Sequence, residues 1–305
     1  MAFKDVSDVQ KSLEEADYIT SREIATVVFL AAATRKPILV EGPAGVGKTE
    51  LAKAVARSLN WELIRLQCYE GLDESKALYE WEYAKQLLYT QMVKEKISDV
   101  LSGACSLPEA VDRIASQEDA FFSERFIQPR PLLRAISSQY PVVLLIDEVD
   151  KSDPEFEAFL LELLSDFQVT IPELGTQRAK NIPFVVLTSN NYRDMSDALK
   201  RRCVHIYIDY PERDLEIRIV QLKIPGIQER LAQQLVDAVR SIRTLDLKKR
   251  PCISETLDWA RSLIALNVDE LTPDILVHTL NMICKYRSDS EMVQREVKSI
   301  LPQAV

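Results

Sequence analysis

The chain alternates between short, continuously apolar runs and longer segments in which apolar residues recur at every third or fourth position. Runs of the first kind are Pro37-Ile-Leu-Val-Glu41, Pro141-Val-Val-Leu-Leu-Ile-Asp147 and Pro183-Phe-Val-Val-Leu-Thr-Ser-Asn190. Such runs predict strands buried on both faces, the habit of a parallel sheet. Trp61 to Gln67 alternates apolar and polar residues and adds a further strand, and Val204 to Asp209 adds another. Helical spacing falls between them. Leu51, Val55 and Leu59 share one face, as do Phe156, Phe159, Leu160, Leu163 and Leu164, and residues 22–34 read as a helix with Thr20 or Ser21 as cap. Strands alternating with helices predict an α/β fold, a parallel sheet flanked by helices.

After Pro211 the pattern changes. Residues 214–222, 227–242, 254–266 and 273–286 read as successive helices, with Leu231, Leu235, Val239 and Ile242 on one stripe. The expected organisation is a polar N-terminal tail over residues 1–17, an α/β core over 18–211 and a small all-helical lid domain over 212–305. Within the core, about 75–130 exceeds an ordinary crossover connection and is expected to be an insertion. Its aromatic stretch from Leu78 to Tyr89 reads as helical, and residues 168–182 read as a hairpin with Gly175 in its turn region.

The first strand runs directly into Gly42-Pro43-Ala44-Gly45-Val46-Gly47-Lys48-Thr49, and the helix that follows opens on Glu50. Strand, glycine loop and helix are the context in which this string cradles phosphate. Gly42, Gly45 and Gly47 let the backbone turn its N–H groups toward phosphate oxygens, at the positive end of the helix dipole. Lys48 is placed to reach the β- and γ-phosphates and Thr49 to hold Mg2+. The strand ending in Asp147-Glu148 presents two carboxylates where a parallel sheet displays ligand-binding residues. There Asp147 is expected to serve the metal and Glu148 to polarise an attacking water.

Composition narrows the setting. The 305 residues carry a formal charge of −9 and a sequence pI near 5.0, a balance unfavourable to nonspecific binding of nucleic acid or acidic membrane. Five separated cysteines and two histidines suggest neither a zinc site nor a disulfide framework, so reduced thiols and a cytoplasmic location are expected. The most apolar run, Ile24 to Ala33, is too short to span a bilayer.

With the phosphate loop, Asp147-Glu148, Asn190, Arg201-Arg202 and helical C-terminal part in that order, the chain resembles AAA+ ATPases. It is similar in particular to the MoxR family. The likeness is carried by Val40-Glu-Gly-Pro-Ala-Gly-Val-Gly-Lys-Thr49, the insertion after the second strand, the hairpin, and Gln128-Pro-Arg-Pro-Leu-Leu-Arg-Ala135. Tyr69-Glu-Gly-Leu-Asp73 and Ala77-Leu-Tyr-Glu-Trp81 resemble its CoxD-like branch, associated with maturation of molybdenum hydroxylases.

The resemblance implies ATP and Mg2+ as cofactors. It makes Lys48 the phosphate lysine and Glu148 the water-activating residue, with Asn190 as the sensor that places the water. Arg202, or Arg201 beside it, becomes an arginine finger acting on a neighbouring subunit's nucleotide. It further implies a ring, usually a hexamer, a partner bearing a von Willebrand factor A domain, and a protein client to be remodelled. One departure stands out: the family's second-sensor arginine corresponds here to Ser254-Glu255-Thr256, leaving Arg261 as substitute or closure of the lid without an arginine. A nucleic-acid-processing motor and a P-loop small-molecule kinase are the alternative readings.

Overall fold

The computed structural model describes residues 3–89, 91, 126–171 and 175–301. Nine strands occur among them: β1 (Ile38–Glu41), β2 (Glu62–Gln67), β3 (Tyr79–Trp81), β4 (Ile127–Pro129), β5 (Val142–Asp147), β6 (Gln168–Ile171), β7 (Gly175–Arg178), β8 (Phe184–Ser189) and β9 (Val204–Tyr207). Five of them form one sheet in the order β2-β5-β8-β1-β9, every pair parallel. The three inner strands, β1, β5 and β8, are buried along their whole length, whereas β2 and β9 at the edges alternate buried with exposed positions. That difference is the one written into their sequences.

Alternation of side chains along the inner strands divides the core in two. Leu39, Leu144, Ile146, Val185 and Leu187 pack on one face with Leu160 and Leu163 of the helix Pro154–Asp166. Ile38, Val40, Val143, Leu145 and Val186 pack on the other, against three helices: α1 (Val6–Glu15), α2 (Arg22–Thr34) and α3 (Lys48–Leu59). Truncating a fully buried leucine such as Leu144 to alanine in a core of this kind costs about 2–5 kcal/mol. A third apolar cluster, from Ile217 to Ile300, is built from helices and their connections and contains Trp259, fully buried, with its indole N–H donating to Thr279 Oγ1 at 2.8 Å.

Three expectations need correcting. The expected tail over residues 1–17 is, from residue 3 on, not a tail, because α1 buries Val9 and Leu13 completely and Asp5 caps it by accepting from the Asp8 N–H at 2.8 Å. Arg57 fastens its end by donating to Ala16 O at 2.8 Å. The helical spacing of Val6, Val9 and Leu13 was hidden by the polar and charged residues between them.

The stretch from Leu78 to Tyr89 is not one helix either. A short helix, α4 (Glu74–Leu78), stops at Leu78, and β3 then pairs antiparallel with β4 before residues 83–89 turn helical. Its partner is remote in sequence, so no local pattern announced it. Most of the proposed 75–130 insertion, residues 92–125, lies outside the described residues. The helix expected over 273–286 is α-helical over Pro273–Thr279 and runs on as a 3-10 turn over Leu280–Met282, and the helices Arg287–Arg295 and Val297–Ile300 follow. The hairpin is present as the antiparallel pair β6 and β7.

Cys68, Cys203, Cys252 and Cys284 are free thiols, and burial pushes the first two up to about 12. No helix among the described residues is long and apolar enough to cross a membrane.

Candidate nucleotide site

The loop between β1 and α3 is shaped by contacts that only glycine tolerates. Gly42 has φ +148°, and a Cβ there would stand 2.0 Å from the backbone oxygen of Ile208 just beyond β9. At Gly45, φ +74°, a Cβ would stand 2.3 Å from Cys252 Sγ. The second contact joins the loop to the first turn of the helix Ile253–Ala265, so the helical C-terminal part closes directly on it.

Lys48 opens α3 and is 5% exposed. Its ammonium donates to Gly42 O at 2.7 Å and to Pro43 O at 2.6 Å, inside the concavity formed by its own loop. Burial pulls its pKa down to about 8, against the opposing attraction of Asp150, Asp147 and Glu148. Thr49 Oγ1 donates to Asp147 Oδ1 at 2.9 Å, and Thr188 Oγ1 donates to the same oxygen at 2.6 Å. Glu50 is turned aside, accepting from Lys53 at 2.7 Å.

Parallel register levels the strand ends, with Gln67 opposite Asp147 and Glu41 opposite Ser189. Asp147 is 3% exposed and accepts on its other oxygen from Arg65, through Nε at 3.0 Å and Nη2 at 2.6 Å. Glu148 stands in the left-handed region, φ +56°, where its N–H donates to Thr188 Oγ1 at 2.9 Å. Its carboxylate receives Asn190 Nδ2 at 3.0 Å, Gln67 Nε2 at 2.9 Å and Lys151 Nζ at 2.7 Å. Asp150, 1% exposed, holds the segment after β8 by accepting from the N–H groups of Asn190 and Tyr192 at 2.9 and 2.8 Å. Its Oδ1 has no hydrogen-bond partner among the described residues.

The fold thus brings Lys48, Thr49, Asp147, Glu148 and Asn190 together. Arg65, Gln67 and Asp150 belong to the same group and were not singled out by the sequence. For Arg65 and Gln67 a signal existed, since both are polar positions on one side of an alternating edge strand. Two predicted arginines stand apart. Arg202 donates to Ser165 Oγ at 2.6 Å, and Arg201 has no hydrogen bond or ion pair among the described residues. Neither touches Lys48, Asp147, Glu148 or Asn190. Arg261 pairs with Asp258 at 2.8 Å on the exposed side of its helix, while Thr256 is buried against Arg243.

Beside the loop, a cavity of about 410 Å³ is lined by Tyr18, Gly47, Ile208, Leu215, Ile219 and Leu257, apolar groups suited to an aromatic base. The loop, with its lysine and N–H groups, suits a polyphosphate. Thr49 and Asp147 are hard oxygen donors, the kind Mg2+ accepts alongside phosphate oxygens and water. The described residues contain no cluster of three or more His, Cys, Asp or Glu able to hold a metal unaided.

The depressed lysine pKa has a pH consequence. Phosphate favours a charged ammonium, so nucleotide bound against Lys48 is expected to raise its pKa and to take up a proton where the free site has lost it. Nucleotide affinity is therefore expected to be flat below about pH 8 and to weaken as pH rises beyond it. Titration of a fluorescent ADP analogue from pH 7 to 9.5 checks this; an unchanged Kd across that range would contradict it.

The model of the "ATPase family associated with various cellular activities (AAA)" matches residues 38–210. An uncharacterized protein of Staphylococcus haemolyticus is 24% identical over 273 residues, covering 87% of this chain and 89% of its own. Chaperone protein ClpB of Mycoplasmoides gallisepticum is 23% identical across 100% of this chain, which spans only 35% of ClpB. Gas vesicle ATPase GvpN of Haloferax mediterranei is 26% identical over 220 residues, 68% of this chain and 56% of GvpN. A Thermotoga maritima RuvB mutant superposes with a TM-score of 0.48 at 17% identity, covering 92% of this chain and 70% of RuvB. With the family model spanning more than half of the chain, and the phosphate loop and strand-end carboxylates lying within the match, the chain belongs to the AAA family and is an ATPase.

Proposed function

We propose that this ATPase is a MoxR-like remodelling chaperone, a ring that uses ATP hydrolysis to act on a protein client. The observation that carries the ring is the separation of parts within one chain. Phosphate loop, carboxylates and Asn190 converge, whereas Arg201 and Arg202 lie exposed at the end of the helix Asp197–Arg202 with no contact to them. An arginine left without a partner in its own site supports action on the phosphate of a neighbouring copy, and six copies are expected. Similarity to a ClpB chaperone along the whole chain supports the protein client, as does the β6–β7 hairpin, whose second strand is largely exposed. The same reading places the protein in the cytoplasm, with a von Willebrand factor A-domain protein as partner. Its client is a cofactor-bearing enzyme under maturation, as in the CoxD-like branch.

In this reading Lys48 exchanges the carbonyls of Gly42 and Pro43 for the β- and γ-phosphate oxygens of ATP. Gly42 to Thr49 wraps the phosphates with backbone N–H groups, and Tyr18 lies against the base. Thr49 and Asp147 would hold Mg2+, which would supply charge neutralisation on the phosphate oxygens. The Glu148 carboxylate accepts the proton of the attacking water while Asn190 and Gln67 fix its two oxygens. Arg202 of the adjoining copy meets charge developing on the γ-phosphate. The client is tested by capture: Glu148→Gln with ATP should retain a specific protein that Lys48→Ala with ATP does not. Identical retained proteins for both variants would count against ATP-dependent remodelling.

A further inference from the structure

The edge strand β2 sends Arg65 and Gln67, two residues apart, to the same side. Arg65 donates twice to Asp147 Oδ2, at 3.0 and 2.6 Å, and its Nη2 also donates to Gln67 Oε1. A guanidinium has donors only. Its contact therefore fixes the Gln67 amide with the oxygen toward Arg65, which leaves the Nε2 donor to face Glu148 Oε2 at 2.9 Å. One side chain thus spans the two strand-end carboxylates, directly at Asp147 and through Gln67 at Glu148.

At Asp147 the arginine is a competitor. The carboxylate is 4% exposed, Thr49 and Thr188 occupy its Oδ1, and Arg65, 49% exposed, is the cation on its Oδ2. A divalent cation served by Thr49 and Asp147 shares its only carboxylate with a positive charge already in contact. Exposure lets that charge swing aside, so the competition is limited in size.

We propose that Arg65 is a positioning residue that competes with Mg2+ for Asp147 and orients Gln67 against Glu148. The inference rests on the roles assigned above to Asp147 and Glu148. It accounts for an arginine, rather than any apolar β-former, at a half-exposed position of the edge strand.

The test uses the full chain with ADP, Mn2+ binding followed by electron paramagnetic resonance, and steady-state ATP hydrolysis. Arg65→Ala should bind Mn2+ about three- to tenfold more tightly, as expected for removing a half-screened charged contact. Its kcat should fall about tenfold with KM for ATP within about twofold, because the amide loses its orientation but the phosphate loop is untouched. Arg65→Lys should return Mn2+ affinity toward the unaltered value yet leave kcat low, since an ammonium lacks the planar fork needed to hold Asp147 and Gln67 together. Both variants should stay folded, Arg65→Ala melting somewhat lower because Asp147 Oδ2 loses its partner. Mn2+ affinity unchanged or weakened in Arg65→Ala, or kcat restored in Arg65→Lys, would overturn the proposal. Asp147→Asn separates the two levels: if it leaves Mn2+ affinity unchanged, the metal assignment itself fails and the role of Arg65 with it.

Discussion

Glu148→Gln is expected to bind ATP as the unaltered chain does and to hydrolyse it on the order of 10²–10⁴ times more slowly. The carboxylate is gripped by Asn190, Gln67 and Lys151 at 3.0, 2.9 and 2.7 Å, on a backbone held in the left-handed region by its own loop. Glutamine keeps the size of the group and can still accept from Asn190. It cannot take a proton from water, and its amide nitrogen has only donors to face at the second oxygen's place. The phosphate loop lies outside these contacts, so affinity should survive. Lys48→Ala should do the opposite and lose nucleotide binding, since the ammonium supplies the charge that the buried loop otherwise lacks. Phosphate release and fluorescent-analogue binding, measured on both variants, separate the two effects. Turnover of Glu148→Gln at the unaltered rate would move the water-activating role elsewhere.

Loss of Arg202 is expected to be larger still. An arginine finger contributes about 10³–10⁵ in rate in well-studied NTPases, so Arg202→Ala should retain ATP binding and nearly abolish turnover. The competing account is a basic helix end: Lys200, Arg201 and Arg202 crowd the last turn of the helix Asp197–Arg202, where each positive charge is worth only about 0.3–1 kcal/mol. That account predicts nearly intact turnover and a small loss of stability. Between the two arginines the structure supplies a difference. Arg202 is aimed by Ser165 Oγ at 2.6 Å and by Ala198 O at 3.3 Å, whereas Arg201 is unheld among the described residues. A group that must meet developing charge gains from being pre-aimed, so Arg201→Ala should stay close to the unaltered rate. The reverse pattern would assign the finger to Arg201.

The parts of this molecule legible in its sequence are those set by local pattern. β1, β5 and β8 announce themselves because burial on both faces demands unbroken apolar runs, and the glycine loop does so because positive φ and close approach to the Ile208 backbone at Gly42 and to the Cys252 side chain at Gly45 favour glycine. Asp147, Glu148 and Asn190 were readable as the polar residues on which such runs stop. What stayed hidden depends on residues far apart in the chain. β3 needs β4, the polar contacts of Arg65 and Gln67 exist only once β2 is in register with β5, and Asp150 shows its use only where it meets the turn after β8. Helix α1 was obscured differently, by polar and charged residues surrounding a stripe of three apolar ones.

Mixing subunits tests the central claim most directly. One preparation carries Arg202→Ala with Glu148 intact; the other carries Glu148→Gln with Arg202 intact. Neither hydrolyses ATP appreciably alone if the roles are as assigned. In mixed assemblies, verified by tagging each subunit, some interfaces pair an intact Glu148 with an intact Arg202 from the neighbour. The account predicts partial recovery of hydrolysis that depends on the mixing ratio. Mixed assemblies shown to contain both subunits, yet as inactive as either parent, would contradict it.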